Sequence, residues 1–200
     1  MVGEKRSLLR KRPHKFDASQ LEFLEHLDDD VRRLSIPPDV IVDRMGLSGT
    51  DSVLDIGAGI GYFAFPMSKR SEGVIAIDSE PKMLSILAQR ASSSGTSNLE
   101  MVKGDIVALP FADGSVDHVL VAFVYHEVAD QTKLIEESAR VLRPSGKLTV
   151  VDFQKRMSGE GPPIWVRKSP RHVLRTSSPW FNPSQKFETK TYYQLGFVKK

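Results

Sequence analysis

Between residues 50 and 153, short apolar runs alternate with amphipathic segments of helical period. Ser52–Ile56 reads as a short buried strand, and Val74–Asp78, Leu99–Lys103, Val116–Ala122 and Lys147–Phe153 read as four more strands. Tyr62–Lys69, Pro81–Ala91 and Gln131–Leu142 read as the helices between them; Met83, Leu84, Leu87 and Ala88 mark the inner face of the second. Strands that alternate with helices form βαβ units, and these require a parallel sheet with right-handed crossovers. The fold class is therefore α/β, with helices on both faces of the sheet. Ligands in such folds sit beyond the C-terminal ends of the strands.

The flanks are shorter and more polar. Ser19 reads as the N-cap of a helix with Leu21, Leu24 and Leu27 on one face. Asp28-Asp29-Asp30 is followed by Arg32-Arg33, which favours ion pairing on a helix surface over metal binding, so no metal site is expected. Pro37-Pro38 opens another helix, with Val40, Ile41 and Met45 inside and Gly46 at its end. The tail reads as a loop, a short helix over Pro170–Arg175, and strands near Lys186–Thr191 and Gln194–Lys199. A chain of 200 residues suits one domain with extensions, or at most two small ones, at about 150 residues per domain.

The chain contains no cysteine, which excludes a disulfide framework, a thiolate metal site and a thiol nucleophile. No apolar run nears the roughly 18 residues of a membrane span, and the basic N-terminus has no apolar stretch behind it. A cytoplasmic location is expected. The net charge of +3 hides an asymmetry: +5 over residues 1–15, −10 over 16–154 and +8 over 155–200. Basic ends around an acidic middle suit an anionic partner or a pair of solvated arms.

The chemistry concentrates at strand ends. Asp55-Ile56-Gly57-Ala58-Gly59-Ile60-Gly61 joins the first strand to the next helix. Glycines permit a sharp turn and close approach of a ligand to the backbone. A dinucleotide turn requires G-x-G-x-x-G; here the third glycine comes one residue early and Tyr62 takes its place. No G-K-[ST] follows, so a P-loop is excluded. Asp78, followed by Ser79, ends the second strand and can accept both hydroxyls of a ribose. Asp105, beside Ile106, follows the third strand; its carboxylate suits an adenine amino group while Ile106 covers the ring.

With these motifs stand Leu109-Pro110-Phe111-Ala112-Asp113-Gly114-Ser115-Val116-Asp117 and Ala139-Arg140-Val141-Leu142-Arg143-Pro144-Ser145-Gly146. As a set they resemble the class I S-adenosylmethionine-dependent methyltransferases, in the branch of the ubiquinone/menaquinone-type C-methyltransferases and many small-molecule methyltransferases. The resemblance spans roughly residues 37–153. It implies a Rossmann-like, seven-stranded, mostly parallel sheet with an antiparallel last strand, completed by the two tail strands. It further implies S-adenosylmethionine as cofactor. Asp55 and the turn through Gly57, Ala58, Gly59 and Gly61 would hold the methionine portion. Asp78 with Ser79 would take the ribose, and Asp105 with Ile106 the adenine; Ala122 and Phe123 would lie beside the cofactor. Residues 1–36 then form a basic arm and helix that cover the substrate, and residues 37–200 the methyltransferase domain.

A general base is needed only where the nucleophile starts protonated. The candidates are His126 and Glu127, after the fourth strand. Ala122-Phe123-Val124-Tyr125 lacks the Asn/Asp-Pro-Pro-Tyr/Phe motif of amino-group methylases, and cytosine C5 or arsenic methylation needs thiols. A small-molecule acceptor is expected, with RNA or protein acceptors left open by the basic ends. A non-catalytic S-adenosylmethionine-binding module is the alternative. Lys155, Arg156, Trp165, Arg167 and Lys168 mark the loop over residues 154–169 as either a grip on an anionic or stacked substrate or a surface loop.

Overall fold

The computed structural model describes residues 27–157 and 161–200. The expected Ser19 cap, Leu21, Leu24 and the whole basic arm over residues 1–15 lie outside them. The elements run α1 (Asp30–Ser35), α2 (Pro38–Asp43), β1 (Ser52–Ile56), α3 (Ala64–Ser68), β2 (Gly73–Asp78), α4 (Pro81–Ser94), β3 (Leu99–Lys103), β4 (Val116–Ala122), α5 (Gln131–Val141), β5 (Leu142–Phe153), α6 (Pro170–Ser177), β6 (Phe181–Glu188) and β7 (Tyr192–Lys199).

The seven strands form one sheet in the order β3-β2-β1-β4-β5-β7-β6. The first five pair in parallel, and β7 runs antiparallel to both β5 and β6. This is the expected Rossmann-like α/β fold. Alternate residues of a strand face opposite sides, and both sides are buried here. Leu54, Ile56, Val119 and Val121 pack with Leu134, Ile135 and Ala139 of α5 and with Val173 of α6. Their neighbours Val53 and Leu120 pack on the other face with Ile41 and Val42 of α2 and Met67 of α3. Continuous apolar strands are the consequence.

Helix ends follow local chemistry. The Asp130 carboxylate accepts from Lys133 N at 2.9 Å and caps α5. Gly95 (φ 68°) closes α4 in the left-handed conformation, so that the helix runs to Ser94, three residues beyond its expected end. No helix among the described residues is long and apolar enough to cross a membrane.

Other boundaries also differ from expectation. Helix α3 begins at Ala64, because Tyr62 and Phe63 belong to the turn that precedes it. Strand β5 begins at Leu142, opposite Val116; the next pair is His118 with Lys147, so Arg143 to Gly146 loops out, with Ser145 at φ 62°. Strand β6 covers Phe181–Glu188 rather than residues 186–191. Pro183 is tolerated there because β6 is an edge strand and is bulged between Pro183 and Gln185. Thr189 instead makes the turn, its hydroxyl accepting from the backbone N of Thr191 and Tyr192.

Two of the family-like motifs form a single structural knot. Arg140 donates to the carbonyls of Leu109 (2.9 Å) and Phe111 (2.7 Å) and to the carboxylates of Glu137 and Asp113. Glu137 is buried and also accepts from Leu109 N at 2.9 Å. The arginine holds the Glu137 carboxyl below the usual carboxylate range, assisted by that backbone bond. The knot ties the loop after β3 to α5. The Arg140→Ala variant should lose about 3 kcal/mol of unfolding free energy in urea, since Glu137 would be left buried without its main cation. A loss below about 1 kcal/mol, the size of a surface pair, would contradict this account.

Candidate active site

Parallel pairing puts the C-terminal ends of β1 to β5 along one edge, and β3, β2 and β1 are neighbours there. Asp105, Asp78 and Asp55 therefore stand side by side. The glycine turn folds over this row. Gly57 N and Ala58 N both donate to Ile77 O, at 2.8 and 3.1 Å, which pins the turn to β2. Gly57 has φ 70°, and a Cβ there would lie 2.4 Å from Val124 Cγ2, so backbone conformation and packing both require glycine. Gly59 (φ 55°) is the opposite case: nothing lies within 4 Å of a Cβ built on it, leaving the backbone open to a ligand.

Asp78 fastens the turn from below. Its Oδ2 accepts from Gly59 N at 2.9 Å and its Oδ1 from Glu80 N at 3.0 Å. Each carboxylate oxygen retains a further lone pair. Asp55 is 2% exposed, and its Oδ2 is buried without a hydrogen-bond partner. Burial, reinforced by the charge of Asp78, pushes its carboxyl up to about 7. An unpaired buried carboxylate is costly, and a cation is the partner that would relieve it.

Asp105 makes a local turn, accepting from Val107 N at 3.0 Å. A cavity of about 530 Å³ opens here, lined by Ser79, Lys103, Gly104, Asp105 and Ile106. Four of the five lining residues are at or beside predicted cofactor positions. A second cavity, of about 690 Å³, lies elsewhere, between the start of α5 and α6, near Gln131, His172 and Trp180.

The other half of the edge belongs to β4 and β5. Ala122 ends β4, and Phe123 follows at φ 58°, a left-handed conformation that a phenylalanine adopts only at a cost of order 1 kcal/mol. Phe123 N donates to Val151 O, which holds the turn in place. The Phe123 ring stacks on Phe63 (6.2 Å between centroids) and meets Phe153 at 4.6 Å. His126 is also buried, with its ring edge-on to Phe153. Its Nδ1 lies 2.7 Å from Asp152 Oδ1, and its backbone N donates to Asp152 Oδ2 at 3.0 Å. Burial alone would lower the imidazole, but the hydrogen bond and charge of Asp152, with a lesser contribution from Glu127, raise it to about 9. Glu127 is mostly exposed, with Oε1 3.6 Å from His126 Nε2.

Three residues here escaped the sequence reading. Asp152 sits in Val151-Asp152-Phe153, another acid at a strand end, and could have been found by the argument that identified Asp55 and Asp78. Arg32 lies over the Tyr62 ring (4.5 Å) and the Phe123 ring (5.6 Å) and so brings α1 onto the site. Arg90 donates to Ile60 O at 2.9 Å within the turn and also pairs with Asp28. Asp28 pairs with Arg33 as well, at 2.6 Å, as the arginine-pairing expectation required. Tyr62 and Phe63 are buried; the Tyr62 hydroxyl donates to Ile36 O at 2.7 Å. Arg167 is 3% exposed and donates to the carbonyls of Pro162, Gln154 and Arg156, so it braces its own loop rather than facing a substrate. Trp165 in the same loop is 72% exposed.

Comparison with known proteins agrees with this geometry. Residues 54–150 match the model of a methyltransferase domain family. Demethylmenaquinone methyltransferase of Thermus thermophilus is 37% identical over 103 residues, covering 50% of this chain and 46% of the relative. The Renibacterium salmoninarum protein of the same name is 32% identical over 149 residues, covering 72% of this chain and 60% of the relative. The chain thus spans about half the length of these relatives. The crystal structure of a SAM dependent methyltransferase from Aquifex aeolicus superimposes with a TM-score of 0.85 at 27% identity, over 93% of this chain and all of that one. In its seven-stranded fold, its glycine turn and these likenesses the chain is similar to the class I S-adenosylmethionine-dependent methyltransferases.

Proposed function

We propose that this chain transfers a methyl group from S-adenosylmethionine to a small-molecule acceptor. The observation that carries the reading is the orphaned, buried Asp55 carboxylate beneath an open glycine turn, next to Asp78. A cationic adenosyl-sulfur compound supplies what that site lacks. When bound, the cofactor provides a methyl already activated on a sulfonium: the acceptor's lone pair takes it, and the C–S bonding pair returns to sulfur.

The chain's own residues would bind and align. Asp55 with Gly57, Ala58, Gly59 and Gly61 would hold the methionine portion. Asp78 and Ser79 would receive the ribose hydroxyls, and Asp105 and Ile106 the adenine, in the cavity they line. Ala122 and Phe123 would flank the reacting centre, with His126 and Glu127 on the acceptor side as the catalytic candidates. Residues 1–36 would cover the site, a role supported by the seating of Arg32 on Tyr62 and Phe123. Alignment with exclusion of water can supply about 7–11 kcal/mol of the barrier. The names of the relatives support a small-molecule acceptor.

Thermal unfolding in the presence of S-adenosylmethionine, S-adenosylhomocysteine and NAD tests the cofactor. The first two should stabilise the protein, by about 2.7 kcal/mol at 100 times the dissociation constant, and NAD should not. Asp78→Ala should weaken S-adenosylmethionine at least about tenfold, equivalent to 1.4 kcal/mol. Stabilisation by NAD alone would refute the assignment. Labelled methyl transfer into cell extract, with and without nuclease or protease, should leave label in a low-mass fraction; label destroyed by either treatment would point to RNA or protein instead.

Asp55 also sets a pH dependence. Its folded-state value lies above its unfolded one, so the folded chain retains a proton that the unfolded chain has released. Its contribution to stability is therefore fully present below about pH 4 and lost as pH rises through about 7. Difference melts of the cofactor-free protein and its Asp55→Asn variant should show that decline only in the former. Parallel curves would place Asp55 in a paired environment and contradict the account.

A further inference from the structure

Asp152 is fully buried and collects three donors: His126 Nδ1 (2.7 Å), His126 N (3.0 Å) and Phe153 N (2.7 Å). These contacts do more than cap a loop. The ring bond assigns the Nδ1 proton to the inner side, because a carboxylate can only accept. Nε2 is left as the ring atom on the outer side, toward Glu127, whose side chain is 63% exposed. Its 3.6 Å separation from Glu127 Oε1 is an ion-pair contact longer than a normal hydrogen bond, one that an acceptor oxygen at hydrogen-bond distance can displace. Packing against Phe153 holds the ring plane.

The charges around this pair come from every neighbouring element. Asp152 on β5 and Glu127 beside the ring are the acids. The Arg167 guanidinium, over the Phe153 ring at 5.4 Å, faces Asp152 from the loop before α6. The hydroxyls of Tyr125 and of Tyr193 on β7 also face Asp152, and burial keeps both phenols in their neutral form. A buried carboxylate with an imidazole at 2.7 Å favours the charged ring. A charged ring cannot act as a base, but it can donate from Nε2.

Resting on the methyltransferase reading above, we propose that Asp152 is a positioning residue: it fixes His126 as an imidazolium whose Nε2–H donates to an anionic oxygen of the methyl acceptor. The acceptor class is then a molecule with an acidic O–H, of phenol or enol type. Its proton leaves to solvent on binding, the oxygen carries the charge beside His126, and the resulting anion supplies the lone pair that takes the methyl. The imidazolium keeps its proton throughout, which reverses the expectation of a histidine base.

Two measurements on the full chain with bound S-adenosylhomocysteine test this. The first follows the His126 ring by NMR against pH. It should titrate near 9 in the wild type, matching the charged pair, and more than about one unit lower in Asp152→Asn. Titration near 6.5, the value of a free imidazole, or no shift in the variant overturns the proposal. The second uses 4-nitrophenol as the probe and reads its phenolate absorbance. Bound probe should ionise at lower pH than free probe, and Asp152→Asn or His126→Gln should cut the phenolate fraction about tenfold, one unit of pKa. A purely structural Asp152 would leave that absorbance unchanged, and an unionised or unbound probe also overturns the proposal. Should Asp152→Asn fail to fold, the wild-type titration and His126→Gln still decide. Loss of S-adenosylhomocysteine affinity in the wild type would instead refute the cofactor reading, whatever His126 does.

Discussion

Five parallel strands must end on the same edge of the sheet, and that constraint assembles the site. Residues scattered from Asp55 to Asp152 meet because hydrogen-bonded register leaves their strand ends no other place. The strand order reverses between β1 and β4, where connections diverge to opposite sides and a crevice opens. The glycine turn closes that crevice from one side, and the Phe123 turn bounds the other. Each depends on a backbone bond to the neighbouring strand, through Ile77 O and Val151 O.

The edge is electrostatically divided. On the β3-β2-β1 side stand Asp105, Asp78 and Asp55, of which Asp55 has a buried oxygen without a partner. On the β4-β5 side, Asp152 is paired with His126, and Arg32 lies over the Phe123 ring. A cation suits the first half and an anion the second. Methyl transfer from a sulfonium to an electron-rich acceptor brings together reactants of those two signs, so the division matches the proposed chemistry. Phe63, Phe123 and Phe153 form the apolar seam between the halves.

Much of this was legible in the sequence, for identifiable reasons. Alternation of apolar runs and helical segments is a local signal, and it located all five parallel strands. Asp55, Asp78 and Asp105 were legible because each adjoins a strand end or a glycine. Asp152 obeys the same rule, but its pairing with His126 spans 26 residues and exists only after folding. Arg32 and Arg90 carry no such signal: their contacts lie 30 or more residues away along the chain and exist only after folding. Strand β6 was misplaced because Pro183 reads as a breaker, and its tolerance depends on the strand being an edge. Arg167 was ambiguous for a related reason, since an arginine that braces carbonyls and one that grips a substrate look alike in sequence.

Calorimetry of S-adenosylmethionine binding at pH 6, in buffers of different ionisation enthalpy, tests the central claim most directly. If the cofactor's cation is the partner that Asp55 lacks, a carboxyl raised to about 7 must ionise on binding. The account predicts net proton release in the wild type, and neither that release nor comparable affinity in Asp55→Asn. Binding with no proton exchange, or unaffected by the substitution, would contradict it.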